Sequence, residues 1–339
     1  MTDIAIDLGT STVQVYVKGK GVVIQEPSVV AVDKSSGKVL KIGREAELML
    51  GRTPGNILAV RPLSGGVISD YDATLKLLQV LIRRAVSQTF FKPRVIVCVP
   101  SSITEVEERA ICDATIRAGA KKTYLIEGTV AAALGAGVDI SKPVGNLVVD
   151  IGGGTTDVAV ISMHNVVTGE SIKIAGDALN EAIIKYIRRK YNMLIGERTA
   201  EEVKIRIGTA WPCEDVRTMQ VKGRCLIEGL PKMIELSTTE LLEAIEEPVT
   251  SIVNAVCSVI ERTPPELVGD IAAAGIVMTG GSAVLNGLDK LIEQVTGIRT
   301  FIADNPDKCV AIGAGRSLDN LSLRSAGTIN LARKQQERL

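Results

Sequence analysis

Two short strings carry the residue types that could bind a phosphate. The first runs Asp7-Leu8-Gly9-Thr10-Ser11-Thr12 and the second Asp150-Ile151-Gly152-Gly153-Gly154-Thr155-Thr156-Asp157. Glycine lets the backbone approach a ligand closely and turn N–H groups toward an anion. Thr10, Ser11, Thr12, Thr155 and Thr156 add hydroxyl donors. A carboxylate beside a phosphate repels it unless a hard cation lies between them. Asp7 and Asp150 therefore point to Mg²⁺, reached through waters. A single such string reads more readily as a hairpin turn. Two matched copies favour a polyphosphate held from both sides.

The elements around each string are the same. Ile4-Ala5-Ile6 enters the first turn and Val13-Gln14-Val15-Tyr16-Val17 leaves it with a period of two. Leu147-Val148-Val149 enters the second and Val158-Ala159-Val160-Ile161 leaves it. This internal repeat predicts two related domains facing each other. There is no GxxxxGK[ST] string, so the usual P-loop is excluded. A strand rather than a helix follows each glycine turn, which excludes the dinucleotide-binding fingerprint.

Further along, Arg94 to Pro100 reads as a buried strand, and Ser102-x-x-Glu105 as a capping box for a helix to about Ala118. Leu125-Ile126-Glu127 leads into a small-residue helix at Ala131-Ala132-Ala133. Gly176-Asp177 opens an amphipathic helix; Thr199-x-x-Glu202 reads as the cap of the helix carrying Lys204. Ser237-x-x-Glu240 caps another, bent or restarted at Pro248. Ile276-Val277-Met278 runs through Thr279-Gly280-Gly281-Ser282 into a helix, an arrangement suited to close approach of a nucleotide.

A chain of 339 residues exceeds one ordinary core, so two domains are expected. Lys plus Arg and Asp plus Glu both number 39, which disfavours a nucleic-acid binder. The six cysteines form no CxxC pair, and His164 is the sole histidine; neither a zinc site nor a histidine dyad is expected. No signal-peptide pattern or bilayer-length apolar run is visible, so the cytoplasm is the expected compartment.

Together these strings resemble the actin-like ATPase superfamily, and within it the MreB-type bacterial actins across nearly the whole chain. Besides both phosphate turns, the resemblance rests on Arg61-Pro62-Leu63 with Gly66-Val67-Ile68, Val99-Pro100-Ser101, Ile195-Gly196-Glu197 with Thr199-Ala200-Glu201, Gly229-Leu230-Pro231-Lys232 and Thr263-Pro264-Pro265-Glu266-Leu267. It implies an α/β, ribonuclease H-like duplicated fold of two lobes and four subdomains around a nucleotide cleft. Lobe I would hold residues 1–145 and 316–339, with an outer piece near 32–65. Lobe II would hold 146–315, with an outer piece near 179–242.

The resemblance further implies ATP or GTP with Mg²⁺ and polymerisation into paired protofilaments. Its expected place is the inner face of the cell membrane, with a membrane adaptor and cell-wall synthesis proteins as partners. Asp7 and Asp150 carry over as magnesium-water ligands, and Gly9, Thr10, Ser11, Thr12, Gly152, Gly153, Gly154 and Thr155 as phosphate-turn residues. Glu201, Glu202 and Lys204 carry over as nucleoside contacts, and Gly280 and Gly281 as the adenosine strand.

Three positions depart from the family pattern. The family has Glu-Glu-Pro before the small-residue helix, and its second Glu positions the attacking water. Here the string is Glu127-Gly128-Thr129, so Gly128 occupies the catalytic place and Glu127 is a possible substitute. Loss of such a base costs about 10²–10⁴ in rate, so slow hydrolysis is expected. Asn180 replaces an Asp, and Ser282 a third glycine. Phe90 and Phe91, beside Lys92 and Arg94, have a composition suited to a membrane interface, and the family inserts a hydrophobic loop there. The alternatives are a hydrolysis-poor regulatory paralogue, a small-molecule kinase of the same superfamily and a chaperone-like ATPase. The kinase would need an acceptor-side base, and the chaperone a substrate domain after the ATPase; neither is apparent.

Overall fold

The computed structural model describes residues 3–86, 91–212 and 215–319. Two five-stranded sheets form its centre, and they share one order. In the first, the spatial order is Gly21–Pro27, Thr12–Val17, Ile4–Leu8, Arg94–Val99, Lys122–Glu127. In the second it is Asn165–Ile172, Thr156–Ser162, Asn146–Ile151, Ile276–Thr279, Thr300–Ile302. In both, the first three strands are antiparallel hairpins and the last two run parallel to the central strand. The repeat in the sequence is thus a repeat of architecture.

Both faces of each sheet are covered, and the alternation of side chains decides what covers them. Ile4 and Ile6 face the core of their own lobe, while Ala5 faces a third core shared between the lobes. Leu147 and Val149 likewise face their own lobe, and Val148 the shared core. Helices Gly128–Gly135 and Cys309–Ser317 fill that shared core. They pack backbone against backbone. A Cβ on Gly135 would lie 1.8 Å from the Cys309 carbonyl, and one on Gly313 would lie 1.8 Å from the Ala131 carbonyl. Gly135→Val or Gly313→Val is therefore expected to destabilise the chain by about 3 kcal/mol. Urea unfolding checks this; a loss below about 1 kcal/mol would mean that the helices separate easily.

The outer pieces are small. Val30–Asp33, Val39–Ile42 and Ile57–Val60 form one three-stranded sheet, with the short helix Arg44–Glu47 against it. Met193–Leu194, Thr218–Cys225 and Pro231–Ser237 form the other, beside helices Gly176–Tyr191 and Glu197–Ile207.

Three local expectations need correction. The helix Glu105–Arg117 is capped by Thr104 with Glu107, not by Ser102 with Glu105. Pro100 ends the preceding strand and its carbonyl accepts the Ile103 N–H, so the chain is still turning at Ser102. Thr199 lies inside Glu197–Ile207 rather than at its cap, because extended Gly196 already starts the helix. After Ser282 the chain makes tight turns, and the next helix begins only at Leu288, after Gly287 in the left-handed region. The Ser237–Glu240 capping box is present, and the following helix restarts at Glu246 with Pro248 in its first turn.

Candidate functional site

The two glycine turns meet at the junction of the lobes. A Cβ on Gly153 would lie 2.0 Å from the Ser11 hydroxyl, and one on Gly154 would lie 2.5 Å from the Thr10 hydroxyl. No larger residue fits between them. Behind the turns, strand alternation places Asp7 on the face of Ala5, Asp150 on the face of Val148 and Asp157 on the face of Ala159. All three carboxyls thus open toward the floor of the cleft. Thr279 donates to Asp150 at 3.0 Å, and the Ser282 hydroxyl donates to the Gly152 carbonyl at 2.7 Å. Ser282, a departure from the family pattern, thereby ties the Thr279–Ser282 segment to the second turn. Gly280 needs its positive φ of 87° and its missing side chain, since a Cβ would lie 2.3 Å from the Ile151 carbonyl.

Burial pushes the Asp7 carboxyl up to about 7. Asp150 also rises to about 7, through burial first and then the neighbouring Asp157 and Asp7 carboxylates. Burial raises Asp157, while hydrogen bonds from Ser171, Thr155 and the Ser101 amide draw it back. No ion pair among the described residues neutralises any of the three. Crowded carboxyls without a counter-charge fit a divalent cation. Among the described residues no group of three ligating side chains could hold a metal ion. A hard cation beside these carboxyls would take water and phosphate oxygens as its other ligands, which is the habit of Mg²⁺.

Lys204 is buried, and its ammonium donates to the Gly176 carbonyl at 3.0 Å and to Glu201 at 2.7 Å. Asn180 donates to the same Glu201 oxygen at 2.6 Å, and its own Oδ1 is buried without a hydrogen-bond partner. An Asp at position 180 would bring a negative charge to this cluster; the amide does not. Glu202 lies outside the cluster and pairs with Arg206 on the helix surface.

Gly128 opens the small-residue helix at the end of Lys122–Glu127. Nothing requires a glycine there. A Cβ would meet only the Val99 carbonyl, at an ordinary 3.5 Å. Glu127 precedes it with its carboxyl raised by burial and drawn back by a Ser101 hydrogen bond. Glu127 Oε2 and Asp157 Oδ1 are both buried without a partner. The Ser101 hydroxyl also lies 3.3 Å from the Thr129 hydroxyl, at the start of the same helix.

Residues 1–325 match the family described as MreB/Mbl protein. The chain belongs to the MreB/Mbl family. Its relatives include the cell shape-determining protein Mbl of Bacillus subtilis (strain 168), 51% identical over 320 residues, covering 94% of this chain and 96% of that protein. The cell shape-determining protein MreB of Escherichia coli (strain K12) is 49% identical over 327 residues, covering 95% and 94%. The crystal structure of MreB5 of Spiroplasma citri bound to ADP superposes with a TM-score of 0.90 at 38% identity, covering 94% of this chain and 97% of that one. The expected actin-like fold is the fold of the family member in hand.

Asp157 was legible only as part of a string. Its place on the cleft floor follows from strand alternation, a signal present in the sequence once the Asp150 strand is paired with its neighbour. Gly281 has no chain atom within 4 Å of a notional Cβ, which leaves room beside it for a ligand. Phe91 is 68% exposed; Phe90 lies outside the described residues. No helix among the described residues is long and apolar enough to cross a membrane.

Proposed function

We propose that this MreB/Mbl family member binds ATP or GTP with Mg²⁺ between its lobes and assembles into filaments at the inner face of the cell membrane. There it organises cell-wall synthesis and rod shape, together with a membrane adaptor. The observation that carries this reading is the meeting of two glycine turns, Gly9–Thr12 and Gly152–Thr155, in front of three uncompensated carboxyls. The ADP-bound relative and the cell shape-determining relatives support it. In this reading the lobes divide after residue 145 and again after residue 315.

In this reading Gly9, Thr10, Ser11, Gly152, Gly153, Gly154 and Thr155 donate to phosphate oxygens. Asp7 and Asp150 hold the waters of the cation, which when bound neutralises phosphate charge. Glu201 and Lys204 face the nucleoside. Gly128 presents no group that can orient water, so hydrolysis is slow while binding and assembly persist. The missing carboxylate at Gly128 favours one second reading, a hydrolysis-poor paralogue that regulates a more active sister filament. The exposed Phe91 supports membrane contact through its loop. Burying one such side chain is worth about 1.5–3 kcal/mol, weak for a monomer and strong for a filament with many copies.

Sedimentation with ATP or GTP and Mg²⁺, with and without lipid vesicles, tests this. The chain is expected to pellet with nucleotide, and vesicles to co-sediment only under assembly conditions. Nucleotide binding without pelleting at any chain concentration would remove the filament reading.

A further inference from the structure

The string Arg61-Pro62-Leu63 with Gly66-Val67-Ile68 contributes none of the proposed nucleotide contacts, yet the fold lays it across the cleft. Leu63–Ser64 and Val67–Ile68 pair as a small hairpin. Its turn, Gly65-Gly66, has φ of 54° and 77°, the left-handed region that glycine tolerates. The Gly66 amide donates to the Thr10 hydroxyl of the first phosphate turn at 3.1 Å. A Cβ on Gly66 would lie 2.8 Å from Pro100 and 3.2 Å from the Thr155 methyl of the second turn. One on Gly65 would lie 3.0 Å from the Lys173 side chain. A hairpin that leaves the first lobe therefore rests against the second.

Arg61 fastens the start of this hairpin to the other lobe. Its guanidinium lies 3.1 Å from Glu197 and 3.9 Å from Asp177. Asp177 is itself tied to both phosphate turns: its amide donates to the Gly153 carbonyl at 2.7 Å, and its carboxylate accepts the Ser11 hydroxyl at 3.3 Å. Among the described residues, the two Arg61 pairs are the only ion pairs joining a residue before 145 to one between 146 and 315. All three side chains are partly exposed, at 28% for Arg61, 33% for Asp177 and 51% for Glu197. Water and salt weaken such pairs without abolishing them, as a reversible fastening requires.

We propose that residues 61–68 form a strap clasped across the cleft by Arg61, Asp177 and Glu197, and that the clasp governs how fast bound nucleotide leaves. The clasp itself rests on geometry; its effect on nucleotide rests on the binding reading above. Arg61 also cancels the Asp177 charge beside Ser11, where phosphate would otherwise meet a bare carboxylate.

The test is a double-substitution cycle on the full chain with Arg61→Gln, Glu197→Gln and both together. Arg262→Gln serves as the control, since it and its partner Glu170 both lie between residues 146 and 315 and their pair joins no two lobes. Two rates are read. One is hydrogen–deuterium exchange at Gly9–Thr12 and Gly152–Thr155 in the nucleotide-free chain. The other is dissociation of fluorescently labelled ADP. Arg61→Gln is expected to speed both by about fivefold to tenfold, and Glu197→Gln by somewhat less. The double variant is expected to be no faster than Arg61→Gln alone, and Arg262→Gln unchanged. Rates within twofold of the parent for Arg61→Gln, or strictly additive effects in the double variant, would overturn the clasp. If labelled ADP does not bind at all, the nucleotide reading falls, while exchange in the nucleotide-free chain still decides the clasp.

Discussion

Phosphate release should rise by about 10²–10⁴-fold when Gly128 is replaced by glutamate, with assembly retained. The physical case is local. Gly128 is the first residue of a helix, its notional Cβ meets only one carbonyl at van der Waals distance, and the helix start leaves amide N–H groups unpaired. A glutamate there loses no packing. It removes the entropic cost of a helical glycine and places negative charge at a helix N-terminus, which is favourable. Its carboxylate would project beside Val99 and Thr129, close to Ser101, whose hydroxyl lies 3.3 Å from that of Thr129. Single-turnover phosphate release and pelleting, on the parent and on Gly128→Glu, measure the effect. Brisk release by the parent would show that another carboxyl orients the water. The two buried oxygens without partners, on Glu127 and Asp157, identify the ones to substitute next.

Asp150→Asn should move stability and binding in opposite directions. In the folded chain the Asp150 carboxyl stands at about 7 against an ordinary 3.8, through burial and then its acidic neighbours. Between those values the folded state holds more protons than the unfolded one, so stability falls as pH rises from about 4 to about 7 and is flat above. Asn mimics the protonated carboxyl and removes the Asp150 share of that fall, while Asp7, also raised to about 7, keeps its own share in parent and variant alike. The nucleotide-free variant is therefore expected to melt higher than the parent at pH 8, and equally at pH 4. Asp33 is held down to about 2 by the Ser35 and Ser36 hydrogen bonds, and Asp139 by Ser141 and Lys142. Both lose their contribution only as pH falls below about 4, so they do not blur the window. Mg²⁺-dependent nucleotide affinity is expected to drop about 10–100-fold in the same variant, because the water it positions loses a charged acceptor. Melting curves at pH 4 and 8, with and without Mg²⁺-nucleotide, read both effects. A variant that melts lower at pH 8, or binds as tightly as the parent, contradicts the role given to Asp150. A gain in stability at the cost of function is the ordinary signature of a site residue.

Local pattern determined a good deal about this protein. Alternating apolar residues around each Asp-x-Gly turn defined paired strands, because a strand buried on both faces has little freedom in its register. The same pattern occurring twice defined the duplication. The order of the motifs along the chain defined the family. Gly128 was visible as a departure from sequence alone, because the small-residue run Ala131-Ala132-Ala133 marks the helix start beside it. Helix starts were less legible. Ser102, Thr104 and Thr199 all have capping chemistry, and what selects among them is where the preceding turn ends, which depends on Pro100 and Gly196 in three dimensions.

The tertiary structure alone decided the rest. That Gly153 and Gly154 touch Ser11 and Thr10 depends on how two sheets lean on the paired helices at Gly135 and Gly313. That Glu201 and Lys204 join Asn180 while Glu202 turns away depends on which face of one helix meets its neighbour. Arg61 is separated from its partners Asp177 and Glu197 by more than a hundred residues, and no periodicity links them. Sequence patterns report contacts that a single strand or helix imposes on itself. Contacts between lobes arise from packing many elements at once, and so only the folded chain contains them.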